Sequence, residues 1–317
     1  MPDFTSLKGI QRIGDSQLSS QLISNMVEFF KWGMLGVGDF YNVYLSTQLS
    51  YGGNPSTLRL SDDRRYPKGM IWEGYKSNWV WEQEIEWQTQ PIQISGIYVN
   101  NNFYPTGTND PTYAYNISYP RGSVIFNNPI PTNSVVQCEY SHRKWGFYQS
   151  NSQWYHTLLD RLDRMDDYSF NWQGSGLWSI FNDARISFPV VVVEPIPNRK
   201  FVPKALGGGQ WCYQDVKFHI YASDSDDRDD MVDILTYQNE KRFFFYDQNA
   251  LAASSLYPLN INGYLVNPQS IYPTLVQNYL WTDALIWNVT AQPNDNESPN
   301  LYLGHAILNI EINLPQL

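Results

Sequence analysis

Leu18, Leu22, Met26, Phe29 and Phe30 recur at three- and four-residue spacing, which predicts an amphipathic helix. Asp15 or Ser16 stands where an N-cap is expected, and Gly33, Gly36 and Gly38 stand where the helix should stop. Phe40–Leu49 has strand composition, and Tyr51-Gly52-Gly53-Asn54-Pro55 breaks it. From Trp79 to Tyr148 the pattern shortens to brief apolar runs between turn residues: Trp79–Trp87, Gly96–Val99, Tyr113–Tyr119, Ser123–Phe126 and Val135–Tyr140. These runs predict a small antiparallel β-domain, with Ser123–Phe126 and Val135–Tyr140 as two paired strands.

Helical spacing returns at Ser152–Asp167 through Trp154, Leu158, Leu159 and Leu162. Phe188–Val193 is an unbroken apolar run, the pattern of a strand covered on both faces. Trp211–Ala222 alternates, with Val216, Phe218 and Ile220 on one side. An acidic helix should follow, capped by Ser225 or Asp226, with Lys241 and Arg242 at its basic end. Phe243–Tyr246, Leu285–Thr290 and Tyr302–Leu314 read as strands, and Ile261–Val266 as a hairpin arm. The order predicts an α+β fold: a mixed or antiparallel sheet flanked by helices, with the β-domain inserted. The expected division is 1–78 as an N-terminal part of the core, 79–148 as the inserted β-domain and 149–317 as the α+β core.

Composition adds a reason to expect association. Aromatic and charged residues each make up 16% of the 317 residues, whereas a typical soluble domain carries about 25% charged residues. Interface cores shed charge and keep Tyr and Trp, so this balance suits a subunit that buries itself against others. The net charge of -10 argues against a general binder of nucleic acid or of anionic membranes. It leaves open a wall that DNA slides past. No run approaches the roughly 18 apolar residues of a membrane helix. Residues 1–20 hold no apolar signal core, so secretion is not expected.

No pattern anchors a catalytic reading. Cys138 and Cys212 form no CxxC pair, and His142, His156, His219 and His305 form no metal-binding spacing, so no metal and no cofactor is expected. Gly207-Gly208-Gly209 is the nearest approach to a phosphate loop, but Gln210 and Trp211 follow it and a strand, not a helix, comes next. As a strand, Trp79–Trp87 would place Glu82, Glu84 and Glu86 on one face and Trp79, Trp81, Ile85 and Trp87 on the other. That face is either a pair of acids for glycan chemistry, carbohydrate binding included, or the solvated side of the β-domain. Asp224, Asp226, Asp227, Asp229, Asp230 and Asp233 lack the Gly and Glu of a calcium loop. They stabilise a helix start, or line a lumen if the protein forms a ring.

The run Gly209–Ala222, then Asp227-Arg228-Asp229-Asp230-Met231-Val232-Asp233-Ile234-Leu235, then Phe244-Phe245-Tyr246-Asp247, resembles the neck and tail-terminator proteins of tailed bacteriophages. Tyr119–Phe126 running on to Val135–Tyr140 is similar to hairpins of phage virion proteins. Ile10–Leu18 and Phe29–Gly33 are similar to the starts of large-phage virion structural proteins. The resemblance implies a virion structural protein with no catalytic residue, assembled in the host cytoplasm. It implies a homo-oligomer, a six-fold ring that caps the tail tube. Its partners would be the tail tube, the tail sheath and the head-completion or connector proteins, with genomic DNA passing through the lumen without specific binding and no membrane contact. Another neck or tail component, such as a head-closure or sheath-contacting protein, is the alternative within that class. Interface or lumen positions would be Asp224, Asp226, Asp227, Asp229, Asp230, Gly207, Gly208, Gly209 and Trp211. Glu82, Glu84 and Glu86 would lie on the surface of the β-insertion. Terminators are typically shorter, so Trp79–Tyr148 reads as the insertion, and the stretch from Ala250 to Asn300 is long for the family.

Overall fold

The computed structural model describes residues 18–50, 52–63, 66–151, 188–204, 209–294 and 301–314. The expected caps Asp15 and Ser16, the helix at Ser152–Asp167, Gly207 and Gly208 lie outside the described residues. The fold is α+β, and its centre is a seven-stranded sheet. The strands of that sheet are β10 (Gly146–Gln149), β11 (Val190–Pro195), β12 (Lys200–Pro203), β13 (Gln210–Ala222), β14 (Lys241–Tyr246), β15 (Leu280–Pro293) and β16 (Tyr302–Leu314). The order is β10-β11-β13-β16-β15-β14, with β12 continuing the β11 side of β13. Only β10 and β11 run parallel; the other pairs are antiparallel.

Period-two patterning divides the faces of this sheet. In β13, Cys212, Gln214, Val216, Phe218 and Ile220 are buried, while Tyr213, Asp215, Lys217 and His219 are half-buried on the other face. The apolar face is covered by helix α1 (Leu18–Gly36), whose Leu22, Met26 and Phe30 enter the main cluster. Phe30 stacks on Phe147 at 5.8 Å and meets Phe218 edge-on at 5.1 Å. Helix α2 (Ser225–Thr236) covers the rest through Met231 and Leu235. Val190–Val193 is buried throughout because Val191 and Val193 face this cluster. Val190 and Val192 join Tyr221 and Leu301 behind the sheet.

Asn25, fully buried on α1, fastens the helix to the end of β14. Its Nδ2 donates to the Tyr246 carbonyl at 3.1 Å, and its Oδ1 accepts from the Tyr246 N–H at 2.9 Å. Asn25→Ala strands both backbone groups and should cost about 2–3 kcal/mol in urea unfolding. A loss below about 0.5 kcal/mol would show that water replaces the amide.

The other body is all antiparallel. Its strands are β1 (Phe40–Val43), β2 (Arg59–Leu60), β3 (Ile71–Glu73), β4 (Gly96–Val99), β5 (Asn102–Pro105), β6 (Tyr115–Ser118), β7 (Ser123–Phe126), β8 (Val136–Cys138) and β9 (Tyr140–Arg143). They form the sheets β2-β3-β7-β6, β5-β4-β8 and β1-β9 around one cluster centred on Trp79, Tyr140 and Phe126. The body therefore takes its first strand from Phe40, upstream of Trp79, and it also receives Ile271 from the distant C-terminal part. Two short helices, α3 (Gln248–Ser254) and α4 (Tyr272–Tyr279), lead into β15.

Several local expectations change. Of Phe40–Leu49, only Phe40–Val43 is strand. The runs Ser123–Phe126 and Val135–Tyr140 are not paired with each other: β7 pairs with β3 and β6, and β8 with β4. The α2 cap is Asp224, one residue before Ser225, and the helix ends at Thr236. Lys241 and Arg242 open β14 instead of closing the helix. Ile261–Val266 holds only the isolated bridge Leu259↔Leu265 at its base, with Ile261 fully exposed.

Candidate functional site

Trp79–Trp87 is not a strand. Its only ladder contact is the isolated bridge Trp79↔His142. Glu84 sits at φ 63, in the left-handed region, which breaks the alternation. Glu82, Glu84 and Glu86 therefore do not share a face. Glu82 is buried and paired with Arg143, while Glu84 and Glu86 are exposed. Trp79 and Trp81 are interior, and Trp87 lies against Gly38, where an added Cβ would come within 2.4 Å of its indole. Of the rings and acids a glycan platform would use at this segment, Trp79 and Trp81 are buried and Glu82 is paired, which leaves Trp87, 41% exposed, with the exposed Glu84 and Glu86.

The acidic cluster also divides. Asp224 caps α2, its Oδ1 accepting from the Asp227 N–H at 2.8 Å. Asp226, Asp229, Asp230 and Asp233 are exposed, and Asp229 takes the Arg228 guanidinium at 2.8 Å. Asp227 alone turns inward and meets Lys144 Nζ at 2.5 Å. Gly209 takes φ 87 at the far end of β13, and Trp211 nearby lies under the Lys204 ammonium at 4.3 Å. β13 has 13 residues, so the Gly209–Trp211 end and the aspartates lie roughly 40 Å apart.

Asp227 belongs to a cleft of about 200 Å³ between the two bodies. Tyr41 of β1, Lys76, His142 of β9, Lys144, Pro189 and Asp227 line it. His142 is buried, and its Nδ1 donates to the Arg143 carbonyl at 3.1 Å, so Nε2 is left as an acceptor. Burial pushes the His142 pKa down from 6.5 to about 4, with Lys76 acting in the same direction. Burial also lowers Lys76, against the pull of Asp227. Asp39, behind the cleft, is pushed by burial from 3.8 up to about 7. The Trp145 N–H, Arg143 and Lys144 oppose that rise, and Asp227 adds to it.

Shifted ionisable groups around a cavity are often an active-site signature. Here their partners are mainly structural. Asp39 Oδ2 accepts from the Trp145 N–H at 3.2 Å, and Lys144 joins β9 to α2. Among the described residues, no group of three or more His, Cys, Asp or Glu is placed to hold a metal. Among them too, no helix is long and apolar enough to cross a membrane. The arrangement binds the β body to the start of α2 through charge. Sequence patterns did not reveal Asp39, Lys76, His142 or Lys144 as a group, because they come from separate segments. No known family model matches the chain, and no curated protein matches it.

Proposed function

We propose that the protein is a virion structural subunit of a tailed-phage neck, a tail terminator. It assembles as a ring, six-fold in the reading implied by the resemblance. The ring caps the tail tube and meets the sheath and the head-completion or connector proteins, while DNA passes through its lumen unbound. Another neck or tail component stands as the alternative. The observation that supports this reading is the β13–α2–β14 unit: a long strand, a helix opened by Asp224–Asp230, and a strand closing at Tyr246-Asp247. That order is the one carried by the resembling motifs. The two sets of candidate interface residues, at opposite ends of β13, suit a ring, whose head-to-tail contacts use two different faces of each subunit.

Sedimentation at micromolar concentration, with and without tail tubes, tests the reading. The expected species is a discrete multiple of 36.8 kDa, or the chain captured on tube ends. A monomer that leaves tube ends bare overturns it.

A further inference from the structure

The cleft between the β body and the sheet presents polar groups that its structural role does not use. Arg143 is taken by Glu82 and the Lys31 carbonyl, Asp39 by the Trp145 N–H, and Asp227 by Lys144. Two groups on the wall are left over. Among the described residues, no acid forms an ion pair with the half-buried Lys76 ammonium. It stands 5.8 Å from the Tyr75 ring, at the outer limit of a cation–π contact. The second group is the His142 imidazole, 7% exposed, whose Nε2 is an acceptor because Nδ1 serves the Arg143 carbonyl. Nε2 has no hydrogen-bond partner among the described residues. Those residues seal only two side-chain polar atoms without a partner, Gln21 Oε1 and Ser123 Oγ, so Nε2 is open to the cleft that His142 lines.

Size and charge narrow what could fill the space. The cleft holds about 200 Å³, room for about six waters and below the roughly 300 Å³ at which pockets for drug-sized ligands begin. Lys76 and Lys144 against Asp227 leave one positive charge over, and an uncompensated ammonium in a half-buried site favours an anion. The occupant is therefore a small anion. It must also offer a proton, since His142 Nε2 needs a donor. Burial holds His142 neutral near pH 7, its pKa lowered to about 4, so the imidazole does not supply that proton itself. Asp227 beside Lys144 likewise disfavours a fully ionised ligand.

We propose that the cleft binds inorganic phosphate, with Lys76 on its charged oxygens and its remaining O–H donated to His142 Nε2. Phosphate keeps an O–H throughout the neutral range. A carboxylate, sulfate and a phosphodiester have none there, and a phosphomonoester loses its last one near about pH 6. The same chemistry rejects the DNA backbone, whose phosphates are diesters. Bound phosphate joins the Lys76 segment and β9 of the β body to the start of α2, beside the Lys144–Asp227 pair. The site lies within one chain, so it does not rest on the assembly proposed above, and a chain that stays monomeric leaves it intact.

Calorimetric titration of the full chain at about pH 7.5 and matched ionic strength tests the assignment. Inorganic phosphate should bind at least tenfold more tightly than sulfate, methyl phosphate or dimethyl phosphate, because each of these leaves Nε2 unsatisfied. Lys76→Met keeps the aliphatic stem and should weaken phosphate at least tenfold. His142→Asn keeps a donor for the Arg143 carbonyl but removes Nε2, and should bring phosphate down to the level of sulfate. The ranking of the four anions on the wild-type chain needs no variant to fold. Equal affinity for phosphate and sulfate overturns the inference, as does a wild-type chain that takes up no phosphate or a folded Lys76→Met chain that binds it undiminished.

Discussion

Glu82→Ala should lower the unfolding free energy by about 3–5 kcal/mol, one of the largest losses expected from any single change in this chain. The carboxylate is paired with Arg143, and both side chains are almost wholly buried, at 6% and 7% exposed. Arg143 also donates through Nη1 to the Lys31 carbonyl at 2.8 Å, so it ties β9 to the last turns of α1. Glu82 Oε2 accepts from the Trp81 N–H at 3.2 Å, which holds the 79–87 segment in its non-strand path. Removing the acid leaves a guanidinium inside the protein without its counter-charge. Replacing both partners with apolar residues, Glu82→Leu with Arg143→Met, should recover most of the loss, because no charge then remains to be desolvated. Glu84→Gln and Glu86→Gln provide the contrast: both positions are exposed, and each change should stay within about 0.5 kcal/mol. Urea unfolding of the four variants decides the matter. Equal small effects at all three glutamates would restore the picture of one solvated acidic face.

Glu82 also shows where sequence patterns stop carrying information. Trp79, Trp81, Ile85 and Trp87 alternating with Glu82, Glu84 and Glu86 imitate a half-buried strand. The pattern is overridden by a left-handed residue at Glu84 and by an ion pair to a residue 61 positions away. Neither can be seen in a local window. β13 and the Val190–Val193 run were legible for the opposite reason. Their burial is decided by sheet geometry alone, so period two in one and unbroken apolarity in the other carry through. Helix α2 was legible from its acidic start, but its end was not. Lys241 and Arg242 resemble a basic helix terminus and instead guard a strand edge. Strand β10 is four residues long and is placed by parallel pairing with β11, some forty residues on, which no local pattern records. The cleft was hidden in the same way: Asp39, Lys76, His142, Lys144 and Asp227 become neighbours only once the β body and the sheet are in contact. The aspartates were found as a group, but not the division of labour among them: Asp224 caps, Asp227 pairs inward, and the rest face outward.

The buried acid and the buried histidine near the cleft should give the protein opposing responses to pH. Asp39 has its pKa raised from 3.8 to about 7 by burial, so the folded state holds the proton more tightly than the unfolded chain. Its contribution is complete below about pH 4, declines as pH rises, and is lost above about pH 7. His142 has its pKa lowered from 6.5 to about 4, so the folded state resists protonation. Its contribution is complete above about pH 6.5 and is lost as pH falls through 4. Between about pH 4 and 6.5 the two slopes have opposite sign and nearly cancel. Asp39→Asn keeps an acceptor for the Trp145 N–H and removes one slope. Its advantage over wild type should be near zero at pH 4 and grow to about 4 kcal/mol at pH 8, the equivalent of the difference between 3.8 and about 7. His142→Asn keeps a donor for the Arg143 carbonyl and removes the other slope, so its advantage should appear on the acid side, at about 3 kcal/mol by pH 4. Comparing each variant with wild type at every pH cancels the titration of all other groups, provided the fold is otherwise unchanged. Stability curves that run parallel to wild type at a constant offset would show that neither group is held in the protonation state its burial demands. Crossed results, with Asp39→Asn helping only in acid, would mean that Lys144 and Arg143 dominate the Asp39 carboxyl and that its charge, not its proton, joins the β body to the sheet.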